Sequence, residues 1–396
     1  MNKVTEIFQG LTNLQKILVL IILSTLLYGS SASVSYAIFS KVASQTPSIS
    51  QDTSKSKLPS ASSITEEDPN EPKTEICPLN GFKHTKKARE FWEKRRPLAV
   101  MIENHSEARP QSGLSSADVV YEAVAEGGIT RFMALFYCNL SDAQVGPVRS
   151  ARTYFLDWLG EYDALYAHVG GANTPGPADA LGRIIKYEVK DLNQFSIGFP
   201  VFWRDYQRLG HSVATEHTMY STTQKLWEIG AKRGWTATDS AGMKWDKKFT
   251  PWSFKEDRNS EGKTNKIQVN FWENQPAYNV EWNYDATTNT YKRNNGGIPH
   301  MDLNKNTQLT PKMIVIQFER ESNANDGYPG NVHLLYGTTG SGKALFFMDG
   351  NVIEGKWIKQ SRISRTKYVD MNGREIQFNR GQIWIQTVPE GSKVSY

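Results

Sequence analysis

Three arginines beside a pair of glycines are the residues of this 396-residue chain whose types and spacing could do chemistry. From Glu126 to Arg152 the sequence reads EGGITRFMALFYCNLSDAQVGPVRSAR, with Gly127 and Gly128 at its head. Arg131 opens an apolar run, and Arg149, Ser150 and Arg152 follow a polar turn. A strand that returns through that turn would bring the arginines to one end of a sheet. Guanidinium groups on a common rim, next to backbone N–H groups that glycine leaves accessible, suit a carboxylate or phosphate ligand. The competing reading pairs each arginine with a nearby carboxylate such as Glu126 or Asp142. The spacing from Thr153 to Tyr166 predicts an amphipathic helix with Ser150 as its cap. Arg149 and Arg152 would then stand at the positive end of the helix dipole, where a bound anion relieves the repulsion. Gly170 and Gly171 end a further apolar run and would allow close backbone approach, with Arg204 and His217 completing the rim. The expected binding set is therefore Glu126, Gly127, Gly128, Arg131, Arg149, Ser150, Arg152, Gly170, Gly171, Arg204 and His217.

No catalytic residue, cofactor or metal is assigned. HExxH and GxSxG are absent, and His211 and His217, six residues apart, would lie on different faces of a helix. Gly337 to Lys343 follows the phosphate-loop pattern as far as its lysine, but Ala344 stands where a hydroxyl would hold magnesium. The residues after it read as a strand into the Asp349-Gly350 turn. The alternative function is a cell-wall hydrolase, with Glu126, or Asp157 or Asp163, as acid or base and His217 assisting.

The elements that must position these residues divide the chain. Lys3 and Lys16 precede an apolar stretch that starts at Ile17, which has the make-up of a signal-peptide core or, read on to Phe39, the length of a membrane anchor. Residues 1–43 are assigned to that segment, and 44–75, rich in Ser, Thr, Pro, Lys and Glu, to a disordered tether. Both readings export the rest of the chain. In an exported protein Cys77 and Cys138 invite a disulfide, worth about 4 kcal/mol in loop closure; two buried thiols are the other possibility. The formal net charge of +5 and scattered lysines exclude nucleic acid as an expected partner. Strands interleaved with helices over 76–245 predict an α/β (or α+β) domain, and 246–396 a smaller antiparallel β-rich domain, a sandwich or open barrel.

The motifs Ile102-Glu-Asn-His105, Arg109-Pro-Gln-Ser-Gly-Leu114, Ala117-Asp-Val-Val-Tyr-Glu122, Glu126-Gly-Gly-Ile-Thr-Arg-Phe132 and Gly146-Pro-Val-Arg-Ser-Ala-Arg152 resemble the first domain of the YerB-like bacterial lipoproteins. Trp282-Asn-Tyr-Asp285, Tyr291-Lys-Arg293, Gly355-Lys-Trp357 and Gly381-Gln-Ile-Trp384 are similar to the second. The resemblance implies a two-domain cell-envelope protein, usually lipid-anchored and without an established activity, with a link to peptidoglycan assembly or remodelling. The expected partner is an anionic wall component or an envelope protein, and the expected place is the outer side of the membrane, reached through the N-terminal segment only. This chain departs from the family in lacking the lipid-attachment cysteine, and in carrying Thr218 after His217 where asparagine is common.

Overall fold

Leu98–Glu103 (β1), Val119–Glu126 (β2) and Ile129–Phe136 (β3) are apolar along almost their whole length, and all three are buried strands. Runs of that kind form strands covered on both faces, because no polar alternation marks a solvent side. The description rests on a computed structural model and covers residues 11–18, 21–22, 24–25, 67–258, 262–328 and 333–396.

Two compact units are present, Met1–Lys57 and Leu58–Tyr396. In the first, residues 13–18 are helical and Ser24 donates to the Ile21 carbonyl at 2.9 Å. Among the described residues no helix is long and apolar enough to cross a membrane. Most of the expected signal or anchor segment, and the tether from residue 44 up to residue 66, lie outside the described residues.

The second unit is built on a ten-stranded mixed sheet. Besides β1 to β3 it contains Leu165–His168 (β4), Lys190–Asn193 (β5), Met313–Glu319 (β6), Gly340–Met348 (β7), Asn351–Lys359 (β8), Lys367–Asp370 (β9) and Ile383–Pro389 (β10). Their order across the sheet is β9-β8-β7-β6-β10-β2-β3-β1-β4-β5. β1 runs parallel to β4, and β4 to β5, whereas β3 is antiparallel to both β1 and β2. The first part of the chain is thus a mixed α and β arrangement.

The later part is strand-rich but not wholly antiparallel. β6 and β10 are parallel, and β10 pairs in parallel with β2, joining Ile383 to Val119. The sequence division near residue 245 therefore does not coincide with a break between sheets. A separate five-stranded sheet holds the strands Lys266–Val269, Val280–Asp285 and Thr290–Asn295. It packs on the large sheet through Trp282 and Trp384, whose rings meet edge to face at 5.4 Å. Arg293 lies fully buried between them, its guanidinium 4.9 Å from the Trp282 ring and 4.7 Å from the Trp384 ring. Its charge meets Glu122 of β2 at 2.8 Å, and the other Glu122 oxygen accepts from Trp384 Nε1 and Gln386 Nε2 at 2.9 Å each. Tryptophans here are core residues with a satisfied N–H, as buried indoles require.

The helices are short. Lys86–Trp92 (α1) starts at its cap Thr85, and Thr153–Leu159 (α2) is followed by Ala180–Lys186 (α3), capped by Asp179, and Thr223–Lys232 (α4), capped by Thr222. The expected helix from Thr153 to Tyr166 is thus cut in half. Gly160 ends it, Asp163 takes a left-handed φ of 43°, and Leu165 already belongs to β4. Apart from Asp157, Gly160 and Asp163 those residues are buried, so their apolar spacing shows too little of a polar face to distinguish helix from strand. Ser150 does not cap α2; Arg152 occupies that position and makes no side-chain cap.

The seven residues from Gly337 to Lys343 lead into and open β7, with no helix after the lysine, so no phosphate cradle forms. Cys77 and Cys138 are bonded, with Cα atoms 5.9 Å apart, tying the start of the folded unit to the end of β3.

Candidate functional site

The end of the large sheet places the arginines as neighbours. In register, Arg131 of β3 stands opposite Glu103 of β1 and Ala123 of β2. The segment after the polar turn then runs alongside. Arg149 N donates to the Met101 carbonyl, its own carbonyl accepts from Val169 N, and Ala151 N donates to Gly170 O, each at 3.0 Å. Backbone pairing on both sides thus brings Arg149 and Arg152 to the rim that carries Arg131.

Each arginine meets an internal carboxylate there. Arg131 Nη2 lies 2.7 Å from Glu126 Oε1, and Arg152 Nη2 contacts Glu126 Oε2. The two guanidinium side chains are 3% and 9% exposed and belong to the interior, with Glu126, 26% exposed, closing over them. Arg131 also donates to the Ser150 carbonyl at 3.0 Å. Burial pulls both guanidinium pKa values down. Of the two sequence readings, pairing with Glu126 describes Arg131 and Arg152; neither is an open ligand for an anion. Buried charges need such partners, since an unpaired one costs several kcal/mol.

Arg149 differs. Its side chain is 24% exposed and its Nε lies 3.0 Å from Glu103 Oε1, an ion pair whose N–H is not aligned as a hydrogen bond. Glu103 is buried and ends β1 with its own N–H bonded to the Pro147 carbonyl at 3.0 Å. The other carboxylate oxygen, Oε2, accepts from His217 Nδ1 at 2.8 Å. His217 closes the short 3-10 turn Thr215–His217. Thr218, fully buried, steadies that turn by donating to the Thr215 carbonyl at 2.7 Å. Arg204 Nη1 reaches the same carbonyl and, at 3.3 Å, Thr218 Oγ1. Thr218 thus serves the turn through its hydroxyl.

His105 stacks on His217 with ring centroids 4.6 Å apart and planes 10° from parallel. Glu107, on the same short turn as His105, places Oε2 3.8 Å from His217 Nε2. The hydrogen bond that His217 donates to Glu103 lifts the His217 pKa above its ordinary 6.5, against burial. Burial, with His217 beside it, lowers that of His105.

The glycines approach protein rather than open space at three of four positions. Gly127 and Gly128, with φ of 56° and 79°, make the β2–β3 hairpin turn. A Cβ on Gly128 would come within 2.9 Å of Trp272, one on Gly170 within 2.9 Å of Phe195, and one on Gly171 within 3.0 Å of Leu181. Only Gly127 faces nothing within 4 Å. Sequence reasoning missed Glu103, His105 and Glu107. The available signal was a carboxylate at the end of an apolar run, two residues before a histidine.

The same fold and motif order occur elsewhere. The chain belongs to the YerB-like family described as a protein of unknown function, DUF3048: residues 83–236 match its N-terminal domain and 267–385 its C-terminal domain. It is 32% identical over 317 residues to "Putative lipoprotein YerB" of Bacillus subtilis (strain 168), covering 79% of this chain and 86% of that protein. The crystal structure of the YerB protein from Bacillus subtilis superposes with a TM-score of 0.66 at 29% identity, covering 81% of this chain and all of that one.

Proposed function

We propose that this chain is a non-catalytic binding protein of the cell envelope, anchored at the membrane with its folded unit on the outer side. Its ligand is an anionic group of a wall component or of an envelope protein, taken at the corner formed by Arg149, Arg204 and His217. The name of the Bacillus relative, a lipoprotein, supports the envelope placement, as does the apolar segment from Ile17.

One observation carries the site: Glu103 holds Arg149 with one oxygen and His217 with the other, which fixes a guanidinium and an imidazole at one partly open corner. Preorganised donors of this kind bind a carboxylate or phosphate with charge-assisted hydrogen bonds worth about 1.5–3 kcal/mol each. The test is calorimetric titration of the full chain with muropeptide fragments and with inorganic phosphate. Binding that disappears in Arg149→Ala, with the melting temperature kept, is the expected result. No binding by the wild-type chain, or equal binding by Arg149→Ala, would remove the proposal.

The second reading, a wall hydrolase, draws on the same Glu103–His217 pair. A carboxylate that orients an imidazole is the arrangement of a general base. Release of soluble fragments from purified peptidoglycan, abolished by His217→Ala, would select it over binding alone.

A further inference from the structure

The corner that holds Arg149 carries more than an anion needs. His105, Glu107 and His217 bring three ligand atoms within 4.8 Å of one another. His217 Nδ1 is bonded to Glu103, which sets the tautomer with the proton on Nδ1 and leaves the Nε2 lone pair free. That is how a metal-binding imidazole is commonly held, with an outer carboxylate fixing the ring and raising its basicity. Nε2 points toward Glu107 Oε2 at 3.8 Å. Two ligands on one tetrahedral ion, at roughly 2.0–2.2 Å each, stand about 3.4 Å apart, so this one pair lies within a few tenths of an ångström of a bound spacing, while the His105 ring has to reorient to join it. His105 is half-buried, stacked on His217, and its Nδ1 accepts the Glu107 amide at 3.3 Å, so metal binding through this ring exchanges that cap bond and the stack for the ion. Glu107, 57% exposed, keeps the position reachable from solvent.

We infer that His105, Glu107 and His217 form a site for a divalent transition metal of the zinc class, with Glu103 as the positioning carboxylate behind His217. Two imidazoles and one carboxylate match the ligand set of zinc sites that keep a fourth position open, and that position would take an anionic oxygen of the ligand. The inference deepens the proposed function, but metal binding can be measured without any wall fragment.

The test is calorimetric titration of chelator-treated full chain with Zn²⁺ alone, alongside Co²⁺ titration followed by visible absorption. The expected result is one ion per chain at about micromolar Kd or tighter. His105→Ala, at a half-exposed position that keeps the fold, should weaken binding at least tenfold, and Glu103→Gln about 10–100-fold. The cobalt form should show the intense bands of a tetrahedral site. Binding that is absent, or equal in wild type and in the His105→Ala/Glu107→Ala double variant, would overturn the inference. Metal bound without any affinity for wall fragments would leave this site standing and remove the anion reading; fragments bound equally with and without chelator would keep the anion reading and overturn the part of the inference that gives the ion's fourth position to the ligand.

Discussion

Oε2 of Glu103 accepts a 2.8 Å hydrogen bond from Nδ1 of His217, across 114 residues of sequence. The same carboxylate meets Arg149 with Oε1, so a single side chain at the end of β1 organises the candidate site.

The His217 imidazole should titrate above its ordinary 6.5, because ionised Glu103 favours the charged ring. In Glu103→Gln the value should fall, read by NMR from the ring protons. A folded-state pKa raised above the unfolded one stabilises most below about pH 6.5, and that contribution is lost as pH rises through the raised value. An unchanged His217 titration in Glu103→Gln would show that the bond has no influence.

Glu126 neutralises two interior arginines, so Glu126→Gln should cost about 2–3 kcal/mol in urea unfolding. Arg149→Ala, at a partly exposed position, should cost well under half of that. If the two variants lose the same stability, the division between structural and ligand-facing arginines is wrong.

The buried pair of Glu122 and Arg293 joins the large sheet to the five-stranded one. Arg293→Met should destabilise by about 3–5 kcal/mol, since it strands Glu122 in the interior. Glu122→Gln with Arg293→Met together should recover part of that loss. A double variant no better than Arg293→Met would mean that packing, not the stranded charge, dominates.

Glu319 in β6 is fully buried, and burial pushes its pKa up to about 8. The folded state then holds a proton that the unfolded chain releases near 4.5, so stability falls as pH rises from about 4.5 toward 8. Glu319→Gln should remove this slope, raising the melting temperature at pH 8 and leaving it nearly unchanged at pH 4. A parallel pH dependence in both chains would contradict the assignment.

How far the sequence speaks for the structure depends on the distance over which partners meet. The helix α4 is legible as the clean helical run from Thr222 to Arg233, whereas the Gly127-Gly128 turn between β2 and β3 reads in the sequence only as a place for close backbone approach. The pairing of Glu126 with Arg131 was available as a local alternative, five residues apart. The part played by Glu103 was not legible, since its partners come from two distant turns. Nor was the shared sheet: β10 lies parallel to β2 from the far end of the chain, and nothing local in Ile383–Pro389 indicates which edge it joins. The apolar residues from Tyr162 to Tyr166 misled for a different reason. Burial on all sides removes the periodicity that tells a helix from a strand.

The most direct test is a crystal of the full chain soaked with a muropeptide carrying a free carboxylate. The account predicts ligand density at the corner, with an anionic oxygen within hydrogen-bond distance of the Arg149 guanidinium and close to His217. Density seated instead on Arg131 and Arg152 with Glu126 displaced, or an empty corner at saturating ligand, would contradict it.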